Sequence, residues 1–373
     1  MKSCRVCNSK NLIPWMDFEE QPLANNFLTY AYSAYKKYPL KAVFCPECSL
    51  GQLTEVVPPE EMFTIYPFYA GLSKVWQEHC NDLVEQYASV TGYVIDIGSN
   101  DGCLLKCWGR AGIKAIGVDP CNLASPNTYR AFWGKEIAEK IVQEHGKACF
   151  ITAQNVLAHI NDVHDFFESV KIALAFGGRF LVEVPTLENL LRDVSFETIY
   201  HEHLSYFSEQ ALRTLFTSHG FNILSLTDTS SHGGSWRVVG SLEGKRTGLS
   251  PSEVISWITP LPLVGQIGEF QEKVDSFMDS FMLRTKVYGY GASAKATVLL
   301  NYFRRLYGRN LVEAIIDDTP FKQGRYIPGV SIPILSSAAL RIDNPSYLYI
   351  FSWNNQKEIQ EKAIEAGFKG EFI

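Results

Sequence analysis

The sequence predicts an α/β protein in three parts: a Rossmann-like central domain, a small four-cysteine module before it, and a second Rossmann-like α/β domain after it. Three observations carry this. A strand–glycine-turn–helix pattern occurs twice, at residues 94–105 and 286–297, and each time the next strand ends in an acid, Asp119 and Asp317. Two Cys-x-x-Cys pairs, Cys4/Cys7 and Cys45/Cys48, stand near the start. The length, 373 residues with 46% hydrophobic content, supplies several cores of about 100–200 residues each. The expected boundaries are 1–70, 71–247 and 248–373.

Four thiolates in a 2+2 arrangement close a tetrahedral shell with no open position, so the expected metal is a structural zinc held by Cys4, Cys7, Cys45 and Cys48. Residues 24–28 and 40–44 read as hairpin strands around it. A helix follows Pro58-Pro59, then a Pro- and Gly-marked linker carrying Tyr66 and Tyr69, each a candidate to face the active site. Leu72, Val75, Trp76, Leu83 and Val84 recur at helical spacing over residues 72–87.

In the turn 98–102, Gly98 and Gly102 free backbone N–H groups at a sheet edge, with Asp96 just before them. The third glycine of a dinucleotide loop is missing and Asn100 takes the middle position, so dinucleotide binding is disfavoured. Asp119 can accept the two hydroxyls of a ribose, and the pair reads as a nucleoside-ligand site. Strands at 128–132 and 148–152 flank a helix at 137–145, and Asn155 and His159 fall at the carboxyl end of the second of these strands, the fourth of the sheet, facing the site. After another helix and Gly177-Gly178, the strand 179–184 leaves Glu183 and Pro185 at its edge.

Residues 198–207 concentrate chemistry: Tyr200, His201, Glu202, His203, Ser205 and Tyr206. This is not the zinc-protease HExxH, because Ser205 stands four places after His201. An extended segment would point Tyr200 and Glu202 one way and His201 and His203 the other, a helix would group them differently, and the sequence leaves this open. The plainer alternative is one buried, hydrogen-bonded histidine with solvated neighbours. A helix at 208–219, a strand at 223–226 and a glycine turn at 231–237 follow, where Ser235 and Arg237 are candidate phosphate contacts. Residues 250–284 read as a helical connector with a proline break at 259–262. In the last domain the Gly289 turn and Lys295 fit a nucleotide diphosphate better than NAD.

Composition excludes some classes. The longest apolar runs, such as 172–176, fall far short of the roughly 18–20 residues that span a bilayer. A net charge of −6 and a pI near 5.8 argue against nucleic acid as the main partner. The first residues lack the apolar core of a signal peptide, so a cytoplasmic protein with nine reduced cysteines is expected. Oligomeric state is not legible.

The stretch D-I-G-S-N-D-G at 96–102 with Asp119 resembles motif I and the second-strand acid of the class I S-adenosylmethionine (SAM) methyltransferases. In chain order, the four cysteines, N-V-L-A-H at 155–159, Y-H-E-H-L-S-Y-F at 200–207, H-G-G-S-W-R at 232–237 and G-Y-G-A-S-A-K at 289–295 make nearly the whole chain resemble the sugar C-methyltransferases that build 3-C-methylated deoxysugars on nucleotide carriers. Y-H-E-H-L-S-Y is the most specific of these. Trp236 departs from a more usual aliphatic residue.

The resemblance implies a zinc-binding domain, a central SAM domain and a C-terminal Rossmann-like domain without NAD. It implies His203 as general base, Tyr200 and Glu202 assisting with His201 beside them, and Tyr66 or Tyr69 reaching in. It also implies that Asp96, Gly98, Ser99, Asn100, Gly102, Asp119, Asn155 and His159 surround SAM. The competing expectations are a zinc-ribbon RNA methyltransferase, a SAM-binding scaffold without activity, and an NAD-dependent sugar reductase built on the Gly289 turn.

Overall fold

A computed structural model describes residues 2–64, 70–122, 125–229, 233–242, 261–281, 286–353 and 356–373. The N-terminal part is an antiparallel sheet of β1 (Ile13–Pro22), β2 (Lys37–Cys45) and β3 (Leu50–Leu53). Cys45 pairs with Leu50 across a tight turn that also carries Cys48, so the second cysteine pair sits on a hairpin tip.

The central part follows the helix Lys74–Tyr87, whose first turn is capped by Ser73 Oγ accepting from Trp76 N. Its strands are β4 (Val94–Ile97), β5 (Ala115–Val118), β6 (Thr128–Tyr129), β7 (Ala148–Gln154) and β8 (Leu174–Pro185). The short β9 (Ser205–Tyr206) leaves this sheet and joins β3, with Gly51 opposite Tyr206 and Gln52 opposite Ser205. A Cβ on Gly51 would lie 2.7 Å from the Trp15 ring, so the close approach needs glycine. Through this strand the N-terminal sheet holds the histidine-rich segment in place.

β10 (Asn222–Thr229) and β11 (Ser235–Ser241) complete the central sheet in the order β10-β11-β8-β7-β4-β5-β6, with β11 antiparallel to β8 and β10, and parallel pairing from β8 to β6. The chain turns from β4 toward β5 and later from β7 toward β8, so a crevice opens at the carboxyl ends of β4 and β7. Both faces are packed. Leu83, Trp108, Phe150 and Leu181 fill one, and Phe166, Phe167, Phe180 and Phe216 the other. At about 1.5–3 kcal/mol per buried side chain, these aromatics make the sheet a rigid floor.

The C-terminal part is a parallel sheet of β12 (Val287–Tyr290), β13 (Ala314–Ile316), β14 (Ile334–Leu335), β15 (Tyr347–Ile350) and β16 (Glu371–Phe372), in the order β14-β13-β12-β15-β16. It shares one apolar core with the N-terminal sheet: Phe18, Phe196 and Tyr302 meet ring to ring, and Trp15 touches Phe270 of the helix Leu261–Asp279.

Two expectations need correction. Residues 24–28 form no strand but a strap, pinned to the C-terminal part by a Leu28–Tyr326 bridge and by Thr297 Oγ1 donating to Ala24 O at 2.9 Å. The expected strand at 40–44 lies inside β2, and its partner is β1 rather than residues 24–28. The strand expected at 128–132 covers only Thr128–Tyr129. The 247/248 boundary and the proline break up to residue 260 lie outside the described residues.

Candidate active site

Cys4, Cys7, Cys45 and Cys48 converge, with all four sulfurs within 4.8 Å of one another and Cys4–Cys48 and Cys7–Cys45 each at 3.5 Å. A tetrahedral zinc with bonds of about 2.3 Å needs sulfur–sulfur edges of about 3.8 Å, so the donor set fits zinc. The shell is entirely thiolate, as in structural sites.

The glycine turn forms a second cradle. Gly98 and Gly102 have φ of +74° and +77°, and a Cβ on Gly98 would lie 2.2 Å from Val156. Asp119 is buried at the end of β5, and its oxygens accept Asn100 N at 2.9 Å and Cys121 N at 2.8 Å. Two amides thus orient a carboxylate whose remaining lone pairs suit a vicinal diol. Asp96 accepts from Thr152 Oγ1 at 2.7 Å, and burial pushes its carboxyl up to about 7. Ser99 lies 3.3 Å from Thr128 Oγ1. Asn100 accepts Ala70 N and Asp101 accepts Gly71 N, so the start of the helix Lys74–Tyr87 is tied to the turn. Asn155, at φ +55°, donates its backbone N–H to Glu183 O beside it.

Across the crevice, residues 200–203 form a turn closed by His203 N donating to Tyr200 O. Positions i and i+3 therefore meet: Tyr200 Oη lies 2.9 Å from His203 Nε2, and His203 Nδ1 lies 3.0 Å from Thr198 O. Since a carbonyl only accepts, His203 carries its proton on Nδ1, leaving Nε2 as acceptor. Burial holds the Tyr200 phenol well above its ordinary value, with Glu202 adding to the effect. The His159 ring is 5.1 Å from the His203 ring, and its Nδ1–H donates to Glu202 O at 2.6 Å. Burial lowers the His159 pKa, so it is neutral at pH 7. Glu202 accepts from Asn25 Nδ2 of the strap at 2.7 Å.

His201 does not join this cluster. The turn sends it to the opposite side, where Nε2 donates to Tyr38 O at 3.2 Å and burial brings its pKa down to about 4. Between about pH 6.5 and 4 the unfolded chain binds a proton that the folded chain does not. Its contribution to stability is therefore complete above pH 6.5 and lost as pH falls toward 4, by up to roughly 3 kcal/mol. His201→Gln is expected to flatten the fall in urea-unfolding free energy between pH 7.5 and 5, the difference from wild type isolating this residue.

Ser235 and Arg237 also fall outside the cluster. Ser235 is fully buried at the start of β11, and Arg237 stands opposite Glu183 in the β8 register, with its guanidinium on the Glu183 carboxylate and on Gln86 Oε1. A buried carboxylate needs such a partner, so these residues do not reach out as phosphate contacts. His79 Nε2 lies 2.7 Å from the other Glu183 oxygen, a pair that no sequence pattern announces. Lys295 lies over Trp353, 4.4 Å from the ring centroid, and Trp353 Nε1 donates to Glu197. Asn25, expected within a hairpin strand at 24–28, is another residue whose contact with this cluster no sequence pattern announces. Tyr66 and Tyr69 lie outside the described residues.

The second glycine turn differs from the first. Its acid, Asp317, accepts Ala292 N at 2.8 Å and Lys322 Nζ at 3.2 Å. A lysine of the same domain engages the carboxylate that would otherwise meet a ribose, which weighs against an NAD site.

Family models match three stretches: a zinc binding domain over residues 4–63, a methyltransferase domain over 73–226 and a C-methyltransferase C-terminal domain over 264–373. Taken with the cysteine cluster and the glycine-turn sheet, they define a SAM-dependent C-methyltransferase with a zinc-binding domain, and the chain belongs to this family. The C-methyltransferase NovU of Streptomyces niveus is 31% identical over 99% of this chain and 94% of its own. Among solved structures, a SAM-dependent methyltransferase from Archaeoglobus fulgidus is 14% identical at a TM-score of 0.36, covering 44% of this chain and 93% of its own. Magnesium protoporphyrin IX methyltransferase from Synechocystis PCC 6803 is 16% identical at 0.33, covering 45% and 86%. Among the described residues no helix is long and apolar enough to cross a membrane.

Proposed function

We propose that the protein methylates C3 of a nucleotide-diphosphate-linked 4-keto-6-deoxysugar, with SAM as methyl donor. The observation that carries this reading is the Tyr200–His203–His159–Glu202 cluster, whose Glu202 also lines a cavity of about 440 Å³ together with Asn25, Asn26, Lys36 and Glu61. That volume falls in the range of about 300–1,000 Å³ for small-molecule sites, and its polar lining suits a sugar.

A sugar carbon becomes a nucleophile only when a neighbouring ketone acidifies its C–H. His203 Nε2 is the base this requires, since its proton is held on the far nitrogen by Thr198 O. Tyr200, kept protonated, can donate to the enolate oxygen as charge develops. SAM supplies an electrophilic methyl when bound. Asp96, Gly98, Ser99, Asn100, Gly102 and Asp119 would hold it, with Asn155 and His159 at the same edge. In this reading Asp119→Ala weakens SAM binding about tenfold to a hundredfold by calorimetry, the loss of charge-assisted hydrogen bonds to a diol.

The diphosphate is assigned to the N-terminus of the helix Ala294–Tyr307 and to Lys295. Two features support this. Desolvation lowers the Lys295 pKa, a cost that a bound anion offsets. Thr297 of the same helix contacts Ala24, next to Asn25 and hence to Glu202, so sugar and diphosphate sites would be contiguous.

The test is NMR of a thymidine-diphosphate 4-keto-6-deoxyhexose with the zinc-loaded protein in D₂O, first without SAM and then with it. Loss of the C3 proton signal followed by a C3 methyl signal is expected. If SAM binds but neither change occurs with this sugar or its guanosine- and cytidine-linked counterparts, the proposal is wrong.

A further inference from the structure

Arg5 stands between Cys4 and Cys7, yet its side chain leaves the metal knuckle and is buried, 6% exposed, beneath the active-site segments. Its Nη1 donates to Leu204 O at 2.9 Å and to Leu53 O at 3.0 Å, and its Nε donates to Asn161 Oδ1 at 3.3 Å. Its backbone N–H donates to Gln52 Oε1 at 2.9 Å. Leu204 directly follows His203, Asn161 comes two residues after His159, and Leu53 ends the strand β3 that carries β9. One planar guanidinium therefore joins the three segments whose mutual position sets the distance between the two histidine rings.

We propose that Arg5 is a positioning residue for methyl transfer, through which the zinc knuckle holds His159 and His203 in register. This deepens the function proposed above and rests on it for the assignment of the two histidines. The chemistry favours arginine at this point. Its fork offers fixed donors to a carbonyl pair on one nitrogen and a side-chain amide on another, a geometry that a single ammonium cannot match. The acceptors it holds are two backbone carbonyls and an amide rather than carboxylates, so what they gain from the guanidinium is direction more than charge. Zinc on Cys4 and Cys7 would fix the two ends of the four-residue stretch from which Arg5 projects, and the anchor would extend from the metal to the loops.

Arg5→Met keeps length and apolar stem but no donors, while Arg5→Lys keeps a charge and a single donor group. With SAM saturating, Arg5→Met is expected to lower kcat about 10–100-fold, the scale of a 1 Å misplacement of a reacting group. Zinc content and the SAM Kd should stay within twofold of wild type, and Arg5→Lys should recover part of the loss. ¹⁵N-histidine NMR without substrate gives an independent signature: His159 and His203 in wild type should each show a protonated Nδ1, and Arg5→Met should average the two tautomers.

Unchanged kcat and unchanged tautomers in a zinc-loaded Arg5→Met protein would overturn the proposal. Should that variant lose zinc or fail to fold, Asn161→Ala decides. It removes one acceptor outside the knuckle, a 3–10-fold fall in kcat at constant SAM Kd supports the proposal, and no fall overturns it. A wild-type protein inactive on 4-keto sugars would refute the substrate reading alone, because the tautomer signal of Arg5→Met needs no sugar.

Discussion

His203→Ala is expected to lower kcat about 10²–10⁴-fold, the usual contribution of a positioned general base, while SAM affinity stays within about twofold. His203 is the residue whose ring is oriented from both sides: Thr198 O fixes the proton on Nδ1, and Tyr200 Oη sits 2.9 Å from the acceptor nitrogen. The companion measurement is C3-proton exchange in D₂O without SAM, which should fall by the same factor if deprotonation precedes methyl transfer. Retained exchange in the variant would move the base to His159, whose ring lies 5.1 Å away. Tyr200→Phe separates the roles further. It removes the enolate donor but not the base, so methylation should fall while some exchange persists.

Loss of the zinc shell should have the largest effect on stability. Cys48 is buried and its sulfur lies 3.5 Å from Cys4, so Cys48→Ser opens the tetrahedron at its interior edge. Structural zinc sites in small domains contribute on the order of 10–16 kcal/mol, of which one ligand change removes a part. A loss of a few kcal/mol corresponds to a drop of roughly 4–6 °C in the thermal midpoint of a chain this size. Activity should fall together with zinc content, because the hairpin that carries Cys45 and Cys48 continues into β3, and β3 holds β9 of the active-site segment. A zinc-free variant with an unaltered midpoint and full activity would show that the cysteines merely pack.

Much of the architecture is legible in local patterns. The first glycine turn falls where strand gives way to helix, because left-handed backbone at Gly98 and Gly102 and a close approach to Val156 strongly favour glycine. Asp119 is legible for the same reason: a strand-end acid after such a turn has few other uses. The cysteine spacing by itself announces the metal module, since four soft ligands in two Cys-x-x-Cys knuckles have one common purpose. The likeness of Y-H-E-H-L-S-Y to known sugar C-methyltransferases singled out Tyr200, Glu202 and His203.

What the sequence left open is where those side chains point. Extended and helical versions of residues 200–207 group the ring residues differently, and neither pattern of spacing decides. The turn closed by His203 N and Tyr200 O decides it, bringing Tyr200 to His203 and sending His201 to Tyr38. Arg237 stood as a candidate phosphate contact beside a glycine turn, and only the β11–β8 register shows it opposite a buried Glu183. Arg5 and Asn25 are invisible locally, because their partners lie 199 and 177 residues away in the chain. Sequence by itself determined most of the elements, the cysteine cluster and the glycine turn with its strand-end acid, which depend largely on neighbours a few residues apart. The tertiary structure decided which histidine meets Tyr200 and what orients it, because those choices are made by a turn hydrogen bond and by contacts between distant segments.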